Sequence, residues 1–109
     1  TKTFSDVLKF MAGYVQLRTK VSVEDVFHEK TLRILSEKMK NQYSQLITID
    51  GIKSIIDEDS WVLVRQSNTE HIVRISTEST NLMKARSIQK QVSELVNQSY
   101  EQARRSKNN

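Results

Sequence analysis

The sequence predicts an α+β domain: a four-stranded antiparallel sheet with two helices packed on one of its faces. Three observations lead there. Two stretches, residues 22–40 and 80–105, carry apolar residues at helical spacing. The segments outside them alternate or run apolar over strand lengths, and the connections between the later strands are short enough for hairpins. At 109 residues, with 37% hydrophobic and 28% charged, the chain has the size and composition of one soluble globular domain.

In chain order, residues 3–12 place Phe4, Val7, Leu8 and Met11 three and four apart, which predicts a short amphipathic helix ending near Gly13. Because the chain opens on Thr1 rather than Met, residues 1–13 are expected to be the remnant of an interdomain linker in an excised piece of a longer protein. Residues 14–22 then alternate. Val15, Leu17, Thr19 and Val21 share one face, and Gln16, Arg18, Lys20 and Ser22 the other, the pattern of a half-buried strand. Ser22 as cap, with Glu24 and Asp25 in the first turn, predicts a helix to about Lys40. Its apolar stripe is Val23, Val26, Phe27, Ile34, Leu35 and Met39, with His28 outside the stripe and expected at the surface or its boundary.

Three strands follow, over residues 46–56, 61–65 and 72–77, the first interrupted by Asp50-Gly51. The connection Asp57-Glu58-Asp59-Ser60 is polar and hairpin-sized, so a β-meander is expected, with Trp61 as a core anchor. After Ser79 or Thr80 as cap, a long helix puts Leu82, Ala85, Ile88, Val92, Leu95, Val96, Ser99 and Ala103 on one side. The domain is expected to span residues 14–105, leaving 106–109 as a disordered tail.

Several function classes fall away. The chain has no cysteine, hence no disulfide, thiolate metal site or cysteine nucleophile. No apolar run approaches the ~20 residues that span a bilayer, and the first residues form no signal peptide, so a cytoplasmic location without a membrane partner is expected. A net charge of +4 invites an anionic partner. Part of that excess, however, sits in Arg104-Arg105-Ser106-Lys107, where basic residues suit a helix end. Nucleic acid is disfavoured. The aromatics Phe4, Phe10, Tyr14, Phe27, Tyr43, Trp61 and Tyr100 are scattered, and no adjacent strands show the paired exposed rings that stack bases.

The richest chemistry lies at Arg65-Gln66-Ser67-Asn68-Thr69-Glu70. Arg65 closes the apolar strand Trp61-Val62-Leu63-Val64, and Ser67, Asn68 and Thr69 follow before the next strand begins. A permanently charged planar fork, two hydroxyl donors and inward-turned backbone amides make a compact anion site. Anchorage between paired strands matters, since each charge-assisted hydrogen bond contributes only about 1.5–3 kcal/mol and ordering loose donors would consume much of it. Arg74, early in the following strand, can point back toward the same anion. On composition alone the stretch also fits an ordinary turn, with Arg65 and Arg74 solvated or paired with Glu70 and Glu78.

Residues 49–78, reading IDGIKSIIDEDSWVLVRQSNTEHIVRISTE, closely resemble the C-terminal domain of the α-D-phosphohexomutases, the phosphomannomutase, phosphoglucomutase and phosphoglucosamine mutase group. That family shows D-G-hydrophobic-K, then W-hydrophobic, then R-P-S-G-T-E-P, then hydrophobic-R-hydrophobic-Y-x-E. Asp50-Gly51-Ile52-Lys53, Trp61, Arg65, Ser67, Thr69, Glu70, Arg74 and Glu78 stand at matching places, and the similarity extends more loosely over residues 14–105. The resemblance implies a TATA-box-binding-protein-like domain. It also implies that Arg65, Ser67, the backbone amide of Asn68, and Thr69 bind the phosphate of a hexose phosphate that is not being transferred. A phosphoserine and a magnesium ion on an Asp-rich loop would then belong to other domains of the parent chain. No catalytic residue and no cofactor are expected in this fragment, which alone should be inactive. Its partners would be the hexose phosphate and those other domains. Asp57-Glu58-Asp59 lacks the D-G-D pattern of the magnesium loop. The family pattern is broken at Gln66, Asn68 and His71, where Pro, Gly and Pro are usual. Loss of both prolines predicts a looser loop, while Asn at position 68 tolerates left-handed angles and His71 offers a further donor when protonated. The alternative is a stand-alone interaction or nucleic-acid-binding module with a degenerate phosphate loop.

Overall fold

A computed structural model describes residues 13–40, 43–47 and 51–105. The helix expected before Gly13 and the tail at 106–109 lie outside the described residues. Strand β1 (Val15–Ser22) leads through a 3-10 turn (Asp25–Phe27) into helix α1 (His28–Met39). Strands β2 (Ser44–Ile47), β3 (Gly51–Asp57), β4 (Ser60–Gln66) and β5 (Ile72–Ser79) follow, and helix α2 (Leu82–Arg105) closes the order. The strands form one antiparallel sheet in the order β1-β5-β4-β3-β2.

The expected α+β class is what forms, with β1, β5, β4 and β3 as the four long strands. One strand more appears at the edge. Residues 46–56, read as a single interrupted strand, are two: β2 pairs back on β3 from Ser44 opposite Ile55 to Ile47 opposite Ile52. Helix α1 carries the chain from the β1 edge to the β2 edge. Helix α2 then lies over β1 and β5 while α1 lies over β3, both on one face.

Period-two alternation decides which side chains meet the helices. Val21, Ile52, Val62, Val64, Val73 and Ile75 from the sheet close on Leu32, Leu35, Met39, Ile88, Val92 and Val96 from the helices. Each such fully buried side chain contributes about 1.5–3 kcal/mol relative to exposure. The alternate positions of the same strands, among them Arg18, Lys53, Arg65 and Arg74, are left on the uncovered face.

Local expectations were displaced where ladder pairing or burial outweighed a side-chain signal. Ser22 is the last residue of β1, opposite Ile72, and does not cap a helix. The helical region starts at Glu24 without a side-chain cap. Extending the ladder brings the following Val23 to full burial, which outweighs the modest gain of one cap. Val26, in the tighter 3-10 turn, is 73% exposed, and Leu32 takes the core place expected for it. His28 is buried rather than at the surface, because its Nε2–H donates to the Val23 carbonyl at 2.8 Å and so satisfies both groups. At the other helix, Ser79 is the buried end of β5, its hydroxyl 2.8 Å from that of Ser60. Asn81 caps instead: its Oδ1 accepts the Lys84 N–H at 3.1 Å, and its carbonyl accepts the Ala85 N–H at 2.9 Å. Trp61 is not a core anchor. It stands on the uncovered face, its ring 5.1 Å from that of Tyr14.

Candidate functional site

The loop between β4 and β5 is held from three sides. Gln66 extends β4 to pair with Val73, and the Ser67 N–H donates to the Ile72 carbonyl at 3.2 Å, so strand pairing reaches the loop's first residue. Inside the loop, Ser67 Oγ accepts the N–H groups of Thr69 at 3.3 Å and Glu70 at 3.1 Å. Two amides thus converge on one point, and the serine keeps its own proton to donate. The Asn68 and Thr69 side chains are exposed. Among the described residues none but glycine has positive φ, so the left-handed freedom of glycine at position 68 goes unused.

The third restraint comes from His71. Its carbonyl accepts the Val23 N–H at 3.0 Å, and its Nδ1 accepts the Asp25 N–H, also at 3.0 Å. The ring is turned toward Asp25, whose Oδ1 lies 3.4 Å from Nδ1. Instead of adding a donor to the loop, His71 fastens the loop's exit to the segment entering α1. Since Val23 is gripped in turn by His28, the loop's exit is tied to a buried side chain. These contacts restrain the backbone where the family pattern has a proline.

Arg65 and Arg74 stand directly opposite each other across β4 and β5. On the other side of Arg65 lies Gly51. A Cβ at that position would sit 2.2 Å from the Val64 carbonyl oxygen and 2.9 Å from Arg65 Cα. The glycine of the D-G-I-K segment therefore lets β3 run tightly under the arginine. Arg74 donates from Nη2 to Glu70 Oε1 at 3.1 Å, an exposed pair worth under about 1 kcal/mol that links loop to sheet. The Arg65 guanidinium makes no hydrogen bond or ion pair among the described residues. One guanidinium is braced and its neighbour is available, beside a serine hydroxyl whose oxygen already holds two loop amides.

The loop opens onto a groove on the uncovered face, lined by Arg65 and Arg74 together with Gln16, Arg18, Lys53, Trp61, Leu63, Ser76 and Glu78. Lys53 Nζ lies 5.4 Å from the Trp61 ring centre, and Gln16 Nε2 donates to Glu78 Oε1 at 3.1 Å. Sequence reasoning assigned no binding role to Arg18 or Lys53. Their signal was present as the polar phase of two alternating strands, but only the register shows that these phases share a surface with Arg65.

Asp57-Glu58-Asp59 forms the β3–β4 turn. Asp57 Oδ1 accepts the Asp59 N–H at 2.9 Å, and its other oxygen pairs with Lys84. The Lys84 ammonium, helped by that amide, holds the Asp57 carboxyl below the usual aspartate range. A carboxylate with both oxygens engaged does not fit a magnesium site, and no group of three His, Asp or Glu among the described residues could hold a metal. Nor is any helix among them long and apolar enough to cross a membrane.

Comparison with known proteins adds the following. The family described as phosphoglucomutase/phosphomannomutase, C-terminal domain, matches residues 18–95. A probable phosphoglucosamine mutase of Pyrococcus furiosus is 38% identical over 103 residues, covering 92% of this chain and 22% of that protein. One from Methanopyrus kandleri is 28% identical, covering 94% of this chain and 23% of that protein. A phosphoglucomutase/phosphomannomutase of Thermococcus kodakarensis is 39% identical, covering 78% of this chain and 18% of that protein. The chain spans about a fifth of the length of the curated relatives it matches.

Proposed function

The chain belongs to the phosphoglucomutase/phosphomannomutase family, as its C-terminal domain, and from that premise we propose that it grips the non-reacting phosphate of a hexose phosphate. Arg65, Ser67, the Asn68 amide and Thr69 would bind the phosphate oxygens, and Arg74 would brace the loop through Glu70 and add a second charge. The observation that carries this reading is Arg65: a guanidinium without a partner among the described residues, beside the hydroxyl of Ser67, which two loop amides hold in place. Such a site recognises phosphate and ignores the sugar. It would therefore suit a parent enzyme that moves a phosphate between two positions of one hexose and must hold the molecule by either end.

Phosphoglucosamine, glucose and mannose phosphates are the substrate candidates, following the names of the relatives. Serine phosphorylation and magnesium chemistry would belong to other domains of the parent chain, so the 109 residues alone should bind but not convert. One exposed phosphate site of this kind yields about 4–5 kcal/mol, a dissociation constant near 1 mM. An NMR titration of the 109-residue chain with glucosamine 6-phosphate and mannose 6-phosphate tests the assignment. Amide shifts confined to residues 65–74, similar for both sugars, are expected. Sugar-phosphate shifts that leave residues 65–74 unmoved would overturn the assignment, and strong salt-sensitive shifts with an oligonucleotide and none with sugar phosphate would replace this reading with the nucleic-acid module.

A further inference from the structure

We propose that the turn between β1 and α1, together with the last turns of α2, forms a two-fold interface through which two copies of this chain associate. The role of this surface does not depend on phosphate binding at the β4–β5 loop. Val26, at the middle of the 3-10 turn, is 73% exposed. Beside it lies a depression lined by Glu24, Val26, Phe27, Glu101, Arg104 and Arg105. Its floor is braced. The Phe27 ring meets that of Tyr100 edge-on at 6.0 Å, and the Arg104 guanidinium lies 5.4 Å from the Tyr100 ring centre. The Tyr100 hydroxyl in turn accepts the Glu24 N–H at 3.4 Å. An exposed aliphatic side chain next to an aromatic-floored depression is a knob beside its own hole. A two-fold axis between two copies brings each knob to the other's hole.

The charges identify the occupant as a second copy. The rim carries two carboxylates and two guanidiniums, so this patch is neutral on a chain of net charge +4. The uncovered sheet face, with Arg18, Lys20, Lys53, Arg65 and Arg74, would repel its own copy, whereas this patch does not. Glu101 is engaged by Arg104 at 3.2 Å. The Glu24 carboxylate and the Arg105 guanidinium both line the depression, yet neither forms an ion pair or hydrogen bond among the described residues. Isologous contact gives each a partner, Glu24 of one copy meeting Arg105 of the other, and the symmetry repeats the pair. Exposed ion pairs add little, so burial of two copies of Val26 supplies most of the drive and the charges set the register. Six lining residues a side, against about 20–30 in a standard-size interface, give a reversible dimer with a dissociation constant of about 0.1–1 mM.

Sedimentation velocity and NMR spectra of the 109-residue chain, recorded from about 20 μM to about 2 mM, test this. The mean mass should rise toward twice that of the monomer, with amide shifts that grow with concentration at residues 24–27 and 100–105. Val26→Asp should weaken self-association at least about tenfold and leave the melting midpoint unchanged. Glu24→Arg and Arg105→Glu, each alone, set like charges against each other twice and should each be monomeric. Mixed in equal amounts, the two variants should form a heterodimer within about threefold of the wild-type affinity, because both cross pairs then join opposite charges. A role of either residue within its own chain does not produce that recovery. A wild type that stays monomeric at the highest concentration would overturn the interface, as would single variants that associate like the wild type or a mixture that stays monomeric. Shifts at these residues that appear only when the other domains of the parent chain are added would assign the surface to them and overturn the dimer.

Discussion

Replacing Gly51 by alanine should damage both the fold and the proposed phosphate site, and the size of the effect follows from the geometry. The new methyl carbon would stand 2.2 Å from the Val64 carbonyl oxygen, 2.9 Å from Arg65 Cα and 3.0 Å from Arg65 Cβ. The first is more than about 1 Å inside ordinary contact, and the two nearest obstacles are backbone, which cannot swing aside as a side-chain tip would. Strands β3 and β4 must part by roughly that amount, which breaks the ladder hydrogen bonds flanking the Gly51–Arg65 pair. Two bonds at about 1 kcal/mol each, with residual overpacking strain, give a loss of about 3 kcal/mol. For a domain of this size the thermal midpoint should fall by about 12 °C. Circular dichroism melts measure this directly, and a phosphate titration below the new midpoint should show a several-fold weaker site because Arg65 has moved. A Gly51→Ala protein with the wild-type midpoint and wild-type phosphate affinity would refute the claim that this glycine sets the position of Arg65.

Other perturbations have equally definite outcomes. His71→Ala should weaken phosphate binding about threefold and speed amide exchange at Asp25, while His71→Asn, whose Oδ1 can accept the same N–H, should restore both; equal binding by all three would show that the loop does not depend on this contact. Thr77 is fully buried and its Oγ1 lacks a partner among the described residues, so Thr77→Val should raise stability by about 1 kcal/mol in denaturant melts, and a drop would contradict the unpaired assignment. Asp57 is depressed by Lys84, so the unfolded chain takes up its proton more readily than the folded one. The stabilisation is complete above the ordinary aspartate value, near pH 4, and is lost as pH falls through the depressed one. Asp57→Asn should thus flatten the decline in stability below about pH 4, whereas acid limbs parallel to the wild type would exclude the pair.

Much of this architecture could be read from the residues because alternation and helical spacing report burial directly. Val15 to Ser22 alternates without a break, and the apolar side of residues 82–103 recurs in the buried set Ala85, Ile88, Val92, Val96, Ser99 and Ala103. The errors have a common cause. Ser22, Ser79 and Thr80 carry good capping side chains, yet Ser22 and Ser79 went into the ladder, because strand pairing is fixed by distant partners that a local window does not contain. His28 looked like a surface residue for the same reason: the Val23 carbonyl that accepts from it becomes a neighbour only when the chain turns from β1 into α1. Within the candidate site, Arg65, Ser67, Asn68 and Thr69 stand close together in one short segment and Arg74 follows in the next strand, so all five could be singled out from the residues. Arg18, 47 positions before Arg65 in the numbering, was not, since it reaches the groove only through the β1–β5 register. His71 was legible as a departure, but its compensation was hidden in a partner at Asp25.

The account turns on one side chain, and the most direct measurement is the dissociation constant of glucose 6-phosphate for the 109-residue chain and its Arg65→Ala variant at the same ionic strength. Arg65 is exposed and lacks a partner among the described residues, so the variant should keep the wild-type melting midpoint. Loss of a charge-assisted contact worth about 1.5–3 kcal/mol should move binding from near 1 mM to beyond measurement. A variant that stays folded and still binds near 1 mM would contradict the phosphate-clamp account.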